Sequence, residues 1–126
     1  MVISRKLLLE GADPVVTSEL TRLEFASAVT AAHRDHRLSD PTGVLARFDW
    51  DCRDEGAFTF LRMNTRTIMP AARQLVTTHR LRSPDALHLA TALQDAIPLA
   101  GGEQVAMVTR DQRQATAARE HGLTVL

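Results

Sequence analysis

The chain has one cysteine, no tyrosine, no net charge and no long uncharged apolar run. Cys52 has no second cysteine to pair with, so a disulfide framework is excluded, and no spaced Cys or His set around it resembles a zinc site. It reads as a small core residue. Four phenylalanines and a single tryptophan are too few for a platform that binds single strands by stacking their bases. Fifteen basic residues balance fifteen acidic ones, so no global field marks nucleic acid or an anionic membrane as partner, although local patches survive in a neutral total. There is no charged-then-apolar leader and no run of bilayer length, and the expectation is a cytoplasmic protein without membrane contact.

What is present is an alternation of element types. No repeat or Pro/Gly/Ser linker divides the 126 residues, and 44% hydrophobic content suffices for one sizeable core, so a single domain over residues 1–126 is expected. The run "PVVT", Pro14 to Thr17, reads as a strand, with Ser18 as N-cap of the helix "ELTRLEFASAVTAAHRDH". Asp40 and Pro41 open a second helix, "AFTFLRM" a second strand, and "NTRTIMPAARQLVTTHR" a helix that Pro70 breaks or kinks. Ser83 and Pro84 cap a helix that runs to about Ala96. "QVAMVT", Gln104 to Thr109, is a strand, "RDQRQATAAREH" a helix closed by Gly122, and "LTVL" a last strand. This order predicts an α/β domain with a mainly parallel sheet.

Ligands of such sheets bind where the chain leaves a strand for a helix. Asp111 in "VTRD" stands there. Glu24 lies about two turns into the helix after its strand, on a face with Leu20, Ser27 and Ala28, where a carboxylate needs a partner such as Arg22. Asp85 begins the helix of "LRSPDALHLATALQ", with His88 one turn on. Each acid also has a purely local reading. Asp85 suits the positive end of a helix dipole, and Asp111 suits an N-cap. His88 reads as a packed or supporting histidine, and Arg80 and Arg82 as a solvated pair at a helix end.

Three segments in order, "VTSELTRLEFASAV", "LRSPDALHLATAL" and "MVTRDQRQATAAREHGLTVL", resemble the PIN-domain family, specifically the VapC-like ribonuclease toxins of type II toxin–antitoxin pairs. The resemblance covers roughly Pro14 to Leu126. It implies a three-layer α/β/α fold, metal-dependent endonucleolytic hydrolysis of RNA, and silencing by a cognate antitoxin. By the same resemblance Glu24, Asp85 and Asp111 correspond to the acids of the family's metal site, as ligands or ligand-orienting groups, and Thr109 to the hydroxylic residue that supports the last of them. Mg²⁺ or Mn²⁺ suits such a site, because a hard cation held by few carboxylates keeps waters and relieves the repulsion among the acids. Arg80, Arg82, Arg110 and Arg113 flank two of the acidic motifs as candidate RNA phosphate contacts.

One departure is plain. Family members open with a strand ending in aspartate, whereas this chain begins "MVISRKLLLEGADPVVTSE". The first strand and first metal-binding aspartate are therefore expected to be missing, or "MVIS" is a remnant with Ser4 at the acid's position. Asp13 precedes "PVVT" and would stand at the opposite edge of the sheet, and Glu10 shares that difficulty. A sheet without its central strand exposes two edges, so strand sharing in a homodimer is expected. Two functional readings follow: an active metal-dependent ribonuclease, or a catalytically impaired module that binds an antitoxin-like partner or RNA. A domain in which all three acids are only caps is a third.

Overall fold

In a computed structural model, residues 14–126 are described. The expectations about Ser4, Glu10, Asp13 and an opening strand fall outside the described residues. Strand β1 (Val15–Ser18) leads into α1 (Leu20–Arg34), α2 (Pro41–Asp51) and β2 (Phe58–Leu61). There follow α3 (Thr65–His79), α4 (Ser83–Thr91), a π-helical turn (Ala92–Ala96) and the short α5 (Ile97–Leu99). The chain closes with β3 (Ala106–Met107), α6 (Gln112–Glu120) and β4 (Thr124–Val125). The α/β reading and the parallel pairing both hold.

The strands form two separate parallel pairs, not one continuous sheet, among the described residues. β1 pairs with β2 in the register Val15↔Phe58 to Ser18↔Leu61, and β3 pairs with β4 through Ala106↔Thr124 and Met107↔Val125. The span expected at Gln104 to Thr109 therefore contracts to two ladder residues, although Thr109 N–H still reaches Leu126 O at 3.4 Å. Helix α4 lies against α3, α6 and β1, and so joins the two halves. Its Ala86, Leu89 and Ala90 are wholly buried, packed with Ile68, Leu75 and Ala117 in the main core. Small residues at Ala86, Ala90, Ala117 and Ala118 make room for this helix among its neighbours. A second apolar cluster stacks Phe25 on Phe48 at 3.9 Å between ring centres and continues through Phe58 to Phe60, tying α1 and α2 to β2.

Several local expectations are corrected. Ser18 is the last residue of β1 and not a cap; Glu19 holds the cap position, and its carboxylate accepts from Met63 N–H beyond the end of β2 at 3.1 Å. Ser83 is the first helical residue, with Arg82 at the cap and Pro84 within the first turn, where a missing N–H costs nothing. Asp40 does cap α2, accepting from Gly43 N–H at 2.9 Å. Pro70 leaves α3 continuous from Thr65 to His79, with Met69 and Pro70 on its exposed face. After Thr91 the helix widens, and Ile97 N–H bonds to Ala92 O immediately before Pro98, which has no N–H to donate. Cys52 caps the C-terminal end of α2 outside the main core, and burial raises its thiol above the ordinary range.

Candidate functional site

Helix α6 starts at the end of the second strand pair, and its first turn is organised by Asp111. The Asp111 side chain accepts from Gln114 N–H at 2.8 Å, as an N-cap does, while its own N–H donates to Thr109 Oγ1 at 3.0 Å. Thr109 thus holds the backbone leading into the acid. The buried Gln114 sends its side-chain N–H back to Asp85 O at 3.0 Å. A single residue therefore ties the start of α6 to the first turn of α4, and with it Asp111 to Asp85.

Asp85 and Asp111 line one pocket of about 280 Å³ together with Arg80, Leu81, Arg82, Gln112 and Arg113. The Asp85 side chain is only 13% exposed, and its Oδ2 accepts from Arg82 Nε at 3.2 Å, whereas the Arg82 side chain is 78% exposed. Arg82 is thus a loosely held cation that solvent screens. Arg80 sits in a left-handed conformation, φ 55°, at the C-terminal end of α3, which turns the chain directly into the pocket wall. Of the four arginines expected to meet phosphate, Arg80, Arg82 and Arg113 border this pocket, while the exposed Arg110 is not among its lining residues.

Glu24 takes a different partner. Its Oε1 accepts from Nε2 of His88, and the expected ion pair with Arg22 is not made; Arg22 bonds instead to Asp49 at 3.0 Å. His88 is buried, and its Nδ1 faces Ser18 Oγ at 3.4 Å. One imidazole therefore links β1, α1 and α4. His88 is the packed histidine of the two readings its sequence context offered, and Ser18, expected as a cap, is the residue behind it.

Part of this donor set suits a hard divalent cation. Asp85 and Asp111 supply carboxylate oxygens at one solvent-open pocket, and each spends only one oxygen on a hydrogen bond within the described residues. Two carboxylates with room for waters fit Mg²⁺ or Mn²⁺. Glu24 does not line this pocket, and no group of three or more His, Cys, Asp or Glu residues able to hold a metal ion occurs among the described residues. Gln114 was not singled out from the sequence. Asp111-Gln112-Arg113-Gln114 has the spacing of a capping box, but Asp111 N–H goes to Thr109 and the Gln114 side chain to Asp85, a link that no local pattern signals.

The PIN domain family matches residues 3–120. Among curated proteins, Ribonuclease VapC45 of Mycobacterium tuberculosis (strain CDC 1551 / Oshkosh) is 33% identical over 118 residues, covering 94% of this chain and 77% of that protein. Ribonuclease VapC49 of strain ATCC 25618 / H37Rv matches with the same identity and the same coverage. No solved structure matches. With its alternating strands and helices, its acids at the starts of α4 and α6, and a family match over nearly its whole length, this chain belongs to the PIN-domain family.

Proposed function

We propose that this protein is a metal-dependent endoribonuclease that hydrolyses RNA phosphodiester bonds, the toxin of a toxin–antitoxin pair. The observation that carries the reading is the meeting of Asp85 and Asp111 in one arginine-bordered pocket, joined through Gln114. Asp85 and Asp111 would hold Mg²⁺ or Mn²⁺ there. When bound, such an ion neutralises phosphate oxygens and makes a water a better nucleophile. The chain's own groups do the rest. Arg80, Arg82 and Arg113 draw the RNA backbone to the pocket mouth. Exchange of Arg82 from Asp85 to a phosphate frees a carboxylate oxygen as substrate arrives. Thr109 and Gln114 keep the two acids in register, and Glu24, set by His88 and Ser18, acts as a ligand-orienting group from outside the pocket lining.

The partners in this reading are RNA and a cognate antitoxin, with action in the cytoplasm. No helix among the described residues is long and apolar enough to cross a membrane. Exposed Leu23 and Trp50 on α1 and α2 favour a further partner, a second copy of the chain, which light scattering tests directly.

The deciding experiment is cleavage of a structured RNA with Mg²⁺ or Mn²⁺ against chelator, with Asp85→Asn in parallel. Metal-dependent cutting that disappears in the variant supports the reading, and equal turnover overturns it. The two-carboxylate pocket, short of a third acid among the described residues, favours one second reading: a module that binds RNA or antitoxin without cutting. A folded chain that binds RNA yet leaves it intact selects that alternative.

A further inference from the structure

On the side of the fold where α3 and α6 end, two histidines meet. His79 is the last residue of α3, and His121 follows the last residue of α6. Their Nε2 atoms are 3.2 Å apart, and their ring centres 5.3 Å apart with planes inclined at 69°. Behind the pair, His79 Nδ1 lies 3.3 Å from Glu120 Oε2. We propose that His79 and His121 form a second cation site, which takes a borderline-soft divalent metal of the zinc type and clamps the C-terminal ends of α3 and α6.

The distances argue for this. Two nitrogens each about 2.05 Å from a tetrahedral zinc are about 3.3 Å apart. Each ring centre lies about 1.2 Å behind its nitrogen, so two rings aimed at a common metal have centres about 5.3 Å apart. A straight hydrogen bond of the observed N···N length would push the centres to about 5.6 Å. The observed N···N and centre-to-centre distances both match the values for two rings that share a metal.

The surroundings agree. Glu120 Oε2 stands 3.3 Å from His79 Nδ1, on the side of the ring away from His121, where a carboxylate favours a cation nearby. Both rings stand at helix C-termini, where unpaired carbonyls make a cation welcome. The site opens on a pocket of about 460 Å³ that also carries Gln74, Thr78 and Gln94, with room for the waters that complete the coordination. Imidazole nitrogens prefer zinc, copper or nickel to Mg²⁺, so this site and the Asp85–Asp111 pocket select different ions.

The test uses tag-free full chain titrated with Zn²⁺ alone by calorimetry, with Co²⁺ as a visible reporter of four-coordination and thermal unfolding as a second readout. The expected result is one zinc per chain that raises Tm, survives Asp85→Asn and persists in excess Mg²⁺. His121→Ala, at an exposed position, should keep the fold and weaken zinc binding by roughly tenfold or more. Absence of zinc binding by the folded chain overturns the proposal. So does His121→Ala binding zinc as the unaltered chain does, or a zinc lost with Asp85→Asn.

Discussion

Glu24 on α1 and His88 on α4 are joined side chain to side chain, the carboxylate half exposed and the imidazole buried, with Ser18 Oγ on the far nitrogen. These residues are 64 positions apart in the chain, so the bond reports how α4 docks on β1 and α1. His88→Leu removes a buried polar partner and is expected to cost about 1–3 kcal/mol of stability. Glu24→Ala should cost less alone, and a double-mutant cycle in denaturant should return a coupling of about 1 kcal/mol. Strictly additive effects would show that the pair contributes nothing as a pair.

Asp111 has two duties that substitutions can separate. Asp111→Ser keeps an oxygen for Gln114 N–H and should hold stability to within a few tenths of a kcal/mol, while Asp111→Ala should lose about 1 kcal/mol. Both remove the carboxylate, so both should abolish metal-dependent RNA cleavage. Retained cleavage in the serine variant would reduce Asp111 to a helix cap.

Gln114 positions the acids without touching substrate. Gln114→Leu removes the side-chain bond to Asp85 O, which keeps its helical partner, and should cost about 0.5–1.5 kcal/mol. Its signature beyond stability is a weaker apparent Mg²⁺ dependence of cleavage, with the midpoint moved to higher Mg²⁺ at a temperature where the variant is fully folded. An unmoved midpoint would make Gln114 a packing residue only.

Gly122 ends α6 with φ at 86°, where Leu123 N–H returns to Ala118 O at 3.0 Å and Gly122 N–H to Arg119 O at 2.9 Å. A Cβ there meets no atom within 4 Å, so the penalty of Gly122→Ala is purely one of backbone conformation, about 1–2 kcal/mol. The expected sign is a lower Tm with unchanged cleavage at low temperature. Equal stability would show that the turn relaxes out of the left-handed region.

Much of this was legible in the sequence where the cause is local. Asp40 before Pro41, Asp111 before α6 and Gly122 after it act within one turn of chain, and each does what its residue type predicts. The order of strands and helices, and the three acidic segments that carry the family resemblance, were equally readable. Ser18 and Ser83 show the limit of that kind of reading. A serine before a helix is a good cap by type, but Ser18 was claimed by the β1–β2 ladder and His88, and the backbone entered α4 one residue earlier than Ser83 as a cap requires.

What only the tertiary structure decided is who meets whom. Composition and spacing bring out three acids, yet nothing local states that Asp85 and Asp111 share a pocket through Gln114 while Glu24 turns to His88. Nor could spacing show that His79 and His121, 42 residues apart, converge at the ends of two helices. Those pairings follow from the packing of α3, α4 and α6 around a core of leucine, isoleucine and alanine. The sequence by itself determined the elements and their caps, because those depend on neighbours a few residues away. The encounters between distant side chains were settled by close packing, in which the position of each helix depends on all the others at once.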